Sequence, residues 1–144
     1  MTVTVIQHMA AYLQRFPRLA EERIDLDCLA TEEGSFCLYS EPTETVIRRY
    51  LDGSSVRRKL FTFAGRRFYG TDLEVQAENA AIFEDLENWL LRQEQFSVLP
   101  DLGDNRRARE LTVFSSGAPV YVDEDGTAQY QMQLQLIYLQ EVTL

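Results

Sequence analysis

The stretch that most limits the fold is the last one. Between 127 and 141, Tyr130, Met132, Leu134, Leu136 and Tyr138 alternate with Gln129, Gln131, Gln133 and Gln135. A period of two sends successive side chains to opposite faces of a strand, so this segment reads as one long strand with an apolar and a polar face. The polar face carries no charge. Glutamine both donates and accepts hydrogen bonds. Such a face suits plain solvent, or another subunit, where charge is costly and hydrogen bonding is welcome. Gln131, Gln133 and Gln135 are therefore candidate interface residues.

The remaining segments give this strand its partners. Residues 2–16 read as an amphipathic helix through Val5, Met9, Tyr12, Leu13 and Phe16, with Thr2 or Thr4 as cap and Pro17 as stop. Ile24, Leu26 and Cys28 alternate with Asp25 and Asp27, so 23–29 reads as a strand with an acidic outer face. A turn at 31–34 and a return strand at 35–40 make it a hairpin, which Pro42 ends. Residues 44–51 and 55–64 read as a second hairpin about Asp52-Gly53, with its tip projecting outward.

Residues 71–95 form the clearest helix. Thr71-x-x-Glu74 fits a capping box, and Val75, Ile82, Phe83, Leu86, Trp89 and Leu90 form an apolar stripe. Residues 96–110 read as loop. Strands follow at 111–114 and 118–122, parted by Ser115-Ser116-Gly117, then a turn at 123–126. This order predicts one α+β domain over 1–144, with two main helices packed on an antiparallel sheet. A chain of 144 residues buries roughly 68–70% of the surface its unfolded form exposes, which is enough for a real core.

Charge is distributed unevenly. Arg48, Arg49, Arg57, Arg58, Lys59, Arg66 and Arg67 supply seven of the 14 Lys and Arg residues, against one acid, Asp52, between 48 and 67. That window is +6 in a chain of −9, so the remainder is −15. The helix at 71–95 carries seven acids, among them Glu78, Glu84, Asp85 and Glu87, against Arg92 alone. Such polarity bears on encounter and assembly more than on fold. The overall acidity argues against a general nucleic-acid binder. The hairpin arginines either pair with the chain's own acids or meet a charged partner, to which a planar guanidinium fork is well suited.

Little in the sequence suggests catalysis. His8 is the only histidine, on an expected helix, and reads as a packing residue. There is no G-x-S-x-G, Walker A or G-x-G-x-x-G pattern. Cys28 and Cys37 have neither zinc nor redox spacing, and Asp123-x-Asp125-Gly126 lacks the other ligands of a calcium loop. The expectation is a non-enzyme without metal or cofactor. No apolar run approaches the length of a membrane span and no signal-peptide pattern is present, so the chain is expected in the cytoplasm when made.

Several short stretches carry a resemblance. They are Arg49-Tyr50-Leu51-Asp52-Gly53-Ser54, Phe68-Tyr69-Gly70-Thr71-Asp72, Phe83-Glu84-Asp85-Leu86-Glu87-Asn88-Trp89-Leu90, Leu99-Pro100-Asp101-Leu102-Gly103, Ala128-Gln129-Tyr130-Gln131-Met132-Gln133 and Leu136-Ile137-Tyr138-Leu139-Gln140. In this order the chain resembles a family of phage and prophage minor capsid or tail terminator-like proteins of the head–tail joining region. Some of its members carry a chloramphenicol-resistance label. The residues oppose that chemistry, because His8 is followed by Met9-Ala10-Ala11-Tyr12 and lacks the acetyltransferase His-x-x-x-Asp pattern.

The resemblance implies an N-terminal helix, an antiparallel sheet and a helix packed across it. It implies a ring, commonly a hexamer, that caps the tail tube, docks the head connector and surrounds passing DNA. Expected partners are therefore the chain itself, tail-tube and connector proteins, with residence in the bacterial cytoplasm and then the virion. On this reading Arg48, Arg49, Arg57, Arg58 and Lys59 face a neighbour's acids or line the lumen, and Glu78, Glu84, Asp85 and Glu87 are the acidic counterparts. The other reading is a monomeric module that holds an acidic protein or nucleic acid on the basic hairpin.

Overall fold

Apolar residues at helical or strand spacing organise two helices and six strands among residues 3–27, 35–68, 73–122 and 127–142, which this computed structural model describes. Helix α1 (Val5–Leu13) leads through a short 3-10 turn (Pro17–Leu19) to strands β1 (Ile24–Leu26), β2 (Phe36–Glu41), β3 (Val46–Arg49) and β4 (Ser55–Phe68). Helix α2 (Leu73–Gln95) follows, then β5 (Arg106–Val122) and β6 (Thr127–Gln140).

Helix α1 is shorter than the expected 2–16 because its start is fixed by a capping box. Thr4 Oγ1 accepts from the Gln7 amide at 3.4 Å, and Gln7 Oε1 accepts from the Thr4 amide at 2.8 Å. Its end precedes Phe16, whose extended backbone suits a residue before proline. Phe16 still reaches the core, stacking at a tilt on Trp89 with centroids 5.7 Å apart. The capping box expected at Thr71 lies outside the described residues, as do Cys28 and the turns expected at 31–34 and 123–126.

Strand β4 is the spine of the sheet. It pairs antiparallel with β6 along its whole length, from Ser55↔Gln140 to Phe68↔Thr127. On its other edge β2 and β3 lie end to end, β2 against 60–65 and β3 against 55–57. Between β2 and β3 runs 42–45, where Pro42 cannot donate to the ladder. The sheet order is β1-β2-β4-β6-β5.

Four expectations change. The sheet is mixed rather than antiparallel, because β1 runs parallel to β2 with Ile24↔Phe36 and Leu26↔Leu38. The chain leaves β1 at Asp27, whose φ of 58° turns it aside. The Asp27 amide donates to Leu38 O at 3.0 Å and its carboxylate accepts from the Ser40 amide at 2.8 Å. Those bonds hold a conformation that L-residues seldom adopt.

Second, residues 106–122 form one edge strand instead of a loop and two short strands. The register slips four times along it, so Ser115-Ser116-Gly117 and Pro119 are absorbed as irregularities, which an edge tolerates. Third, β4 extends to Phe68. Fourth, β4 is paired on both edges down to Ser55, so only residues 50–54 form the projecting tip.

Both helices cover one face of the sheet. Phe61, Phe63, Met132, Leu134 and Leu136 on the strands meet Met9 and Leu13 of α1 and Phe83, Leu86 and Leu90 of α2. Burying one such side chain stabilises by roughly 1.5–3 kcal/mol, whereas an exposed ion pair contributes about 0–1 kcal/mol. The docking of α2 therefore rests on its apolar stripe. Among the described residues no helix is long and apolar enough to cross a membrane.

Candidate interaction surface

The turn between β3 and β4 is built by its own residues. The Tyr50 amide donates to Ser54 O at 2.9 Å and the Gly53 amide to Tyr50 O at 3.1 Å. Gly53 has φ 91°, a region open to glycine at no steric cost. Asp52 Oδ1 accepts from the Ser54 hydroxyl at 2.6 Å and the Ser54 amide at 2.9 Å. These bonds, the hydroxyl first, pull the Asp52 carboxyl below its ordinary range. Leu51 stands fully exposed at the apex.

The pleat divides the basic residues of the hairpin. Phe61 and Phe63 point to the helices, and Arg57 and Lys59 share their parity. Both line a cavity beside Thr4, Val5 and Ile6 at the start of α1. Arg58 shares the opposite face with Leu60 and Thr62, away from the helices. The register pairs Arg48 with Val56 and Arg49 with Ser55. Arg48 thus joins the Arg58 face and Arg49 the Arg57 face. A register slip between Val46 and Arg48 sets this phase. The basic hairpin therefore presents two half-surfaces, in keeping with the alternation of Arg58 with Arg57 and Lys59 and of Arg48 with Arg49 along its arms.

Among the described residues none of these five cations forms an ion pair. Arg57 Nε donates to Ser55 Oγ at 3.0 Å. The Arg48 guanidinium lies over the Tyr50 ring, 5.7 Å from its centroid. Arg58 Nε is buried with no hydrogen-bond partner among them, a costly arrangement for a charged group in a lone chain.

The acids on α2 are not brought to the hairpin. Glu78 and Glu84 are exposed and Glu87 is half-buried. Asp85 is already engaged, accepting from Arg18 Nη1 at 2.7 Å. Helix α2 meets β4 at the end far from the turn, where Arg67 Nε donates to Asn79 Oδ1 at 3.4 Å.

Gln131, Gln133 and Gln135 lie on the face without a described helix. They flank Ala64, Thr62 and Leu60 of β4. Cys37, Ala64 and Thr62 are buried there between the longer Tyr39, Gln131 and Gln133. Thr62 Oγ1 also donates to Glu41 Oε1 at 2.9 Å. Along β6 this face is polar and uncharged from Gln129 to Gln135 and then apolar at Ile137 and Leu139, beside the cations Arg58 and Arg48.

Arg106 was not singled out from the sequence. It lines the same cavity as Arg57 and Lys59, and its Nη2 donates to Val3 O at 2.7 Å. The missed signal is its place at the head of a strand, where Arg106↔Gln140 sits one strand from Ser55. His8 is half-buried on α1 near Gly103. Among the described residues no group of three or more His, Cys, Asp or Glu is arranged to hold a metal. No protein-family model and no curated protein matches the chain in sequence.

Proposed function

We propose that this chain is a phage or prophage virion structural protein of the head–tail joining region, a tail terminator-like subunit that closes into a ring, caps the tail tube and docks the head connector. The observation that carries this reading is that none of the five hairpin cations forms an ion pair among the described residues, alongside the exposed Glu78 and Glu84 of α2. A ring presents a different surface to each neighbour, so one subunit's cations meet the next one's acids. Single exposed pairs contribute about 0–1 kcal/mol, and a closed ring multiplies them.

Two further features support the reading. The glutamine face offers hydrogen bonding without the cost of burying charge, and the layered order of helix, sheet and crossing helix is compatible with the fold that the resemblance implies. Such a subunit acts through interfaces and needs neither catalytic residue nor cofactor. It works in the bacterial cytoplasm during assembly and then in the virion, with DNA passing the lumen.

The test is solution mass by light scattering on a size-exclusion column, across protein concentration and salt, alone and with the tail-tube protein. The expected result is a particle of about six chains, free or on the tube end, that salt weakens and that the Arg57→Glu/Arg58→Glu pair disrupts. A strict monomer that ignores the tail tube refutes the proposal. The hairpin cations, none of them ion-paired among the described residues, also favour a second reading, a monomeric binding module that holds an acidic protein or nucleic acid on the basic hairpin. A stable monomer with salt-dependent binding of DNA supports that reading instead.

A further inference from the structure

Between the start of α1 and the basic end of β4 lies a cavity of about 310 Å³. Its floor is the helix-side face of the sheet and its wall is the first turn of α1. Arg57, Lys59 and Arg106 line it, and among the described residues no carboxylate does. Three cations converging on one small concavity repel one another unless a counter-charge enters.

Their hydrogen-bonding capacity is largely unused. Lys59 has no partner among the described residues. Arg57 commits only Nε, to Ser55 Oγ, and Arg106 one terminal nitrogen, to Val3 O. A guanidinium carries five N–H donors in a fixed fork, so both keep donors for the cavity. The first-turn amides of Val5 and Ile6 precede the helix's own hydrogen-bond ladder and add the positive end of its dipole. These groups are donors and positive charges, held by strand and helix backbone rather than by loops.

We propose that this cavity binds a small phosphate-class oxyanion, free phosphate or the phosphate end of a small monoester. Three features select that ligand. Phosphate offers several acceptor oxygens and more than one negative charge, matching three cations that line one cavity. Guanidinium forks bind it bidentately, which chloride cannot exploit. The cavity lies at the lower end of the roughly 300–1,000 Å³ of ligand sites, which admits a small anion and excludes a duplex. The inference holds for a monomer or a ring, so its fate is separate from that of the assembly proposal.

The experiment is isothermal titration of the full chain with inorganic phosphate, repeated with a nucleoside monophosphate and a short DNA duplex, at fixed ionic strength in chloride. Saturable one-to-one phosphate binding with a Kd of about 1 mM or tighter is expected. Arg57→Gln and Lys59→Gln should each weaken it roughly tenfold or more, as loss of a charged hydrogen bond does. Lys59→Arg should retain it, and Arg92→Gln on the outer side of α2 should leave it unchanged. Melting temperature in chloride confirms that each variant is folded, and added phosphate should raise it only where the site is intact.

Absence of phosphate binding at about ten times that concentration overturns the proposal. So does equal weakening by Arg92→Gln, or binding that survives both cavity variants. Duplex binding without phosphate binding also overturns it and assigns the cations to nucleic acid.

Discussion

Replacing Gly65 by alanine should destabilise the chain, although alanine is normally the better residue in ordered backbone. Gly65 sits in β4 between Phe36 of β2 and Tyr130 of β6, its register partners on either side. Phe83 of α2 descends onto the same spot, stacked on Tyr130 with centroids 5.5 Å apart. Phe36 stacks on Phe63 at 5.6 Å. A Cβ on Gly65 would lie 2.9 Å from Phe36 Cε1 and 3.0 Å from Phe83 Cζ, well inside the roughly 3.5–4.0 Å optimum for carbon atoms. Its φ lies outside the left-handed region, so the glycine is there for space and not for conformation.

Two effects oppose each other. Alanine restricts the unfolded chain and so gains about 0.4–1 kcal/mol. Overpacking a filled core costs about 1–3 kcal/mol. Phe36 and Phe83 are 2% and 1% exposed, so neither ring can swing into solvent and the clash wins. The net loss should be about 1–2 kcal/mol.

Urea unfolding followed by circular dichroism should show a lower midpoint at unchanged slope, and melting should fall by about 2–4 °C per kcal/mol. Phe36→Leu made together with Gly65→Ala tests the cause. If the Phe36 ring is what the methyl displaces, the double variant should recover on the order of 1 kcal/mol relative to additivity. An alanine variant as stable as the parent, or strict additivity with Phe36→Leu, refutes the reasoning.

Two other expectations concern single groups. The Tyr12 phenol donates to Val98 O at 2.7 Å, and burial, against a smaller pull from Arg15, pushes its pKa from 10.0 up to about 12. The folded chain then keeps a proton that the unfolded chain has lost, so this contribution is whole below pH 10 and vanishes as pH rises toward 12. Tyr12→Phe should cost about 1 kcal/mol at neutral pH and flatten that part of the alkaline stability profile in denaturant titrations. Arg18→Ala breaks the pair with Asp85, whose side chains are 41% and 54% exposed. The loss should be about 0–1 kcal/mol and disappear in high salt, and a larger salt-independent loss in urea titration would contradict a surface pairing.

What the sequence made legible depended on burial contrast. Strand β6 was expected at 127–141 and ends at Gln140, because every second side chain enters a core built of Phe61, Phe63 and the helices. The stripe of α2 was legible for the same reason. Direction and continuity carry no such signature. Three residues of β1 alternate identically whether they run with or against β2, and the turn at Asp27 uses a positive φ stabilised from Ser40, thirteen residues away. Ser115-Ser116-Gly117 and Pro119 are true irregularities, yet an edge strand slips register at such residues and continues. Of the candidate surface, the identity of the cations was legible. Their division between the faces of each arm was legible too, Arg58, Leu60 and Thr62 alternating with Arg57, Lys59, Phe61 and Phe63, and Arg48 opposing Arg49. Which face of one arm joins which face of the other was not, because that turns on one slip near Ile47. The approach of Arg106 was not either, because it comes through two strand pairings.

That division has a consequence for any experiment on the hairpin. A run of charge on a strand is split by the pleat, so Arg57 and Arg58, adjacent in sequence, serve different surroundings. Arg57 stands with Lys59 and Arg106 under the start of α1. Arg58 stands on the glutamine side with its Nε buried and unpartnered. A double reversal therefore merges two effects that single variants separate. Arg57→Gln should lower phosphate affinity in titration more than it weakens assembly, because Arg57 lines the cavity under the start of α1. Arg58→Gln should leave phosphate binding intact while weakening assembly, because a subunit docking on the open face would give the buried Arg58 Nε its missing acceptor. If the two single variants behave alike in both assays, the hairpin acts as one diffuse basic patch, and the separation of its faces has no functional meaning.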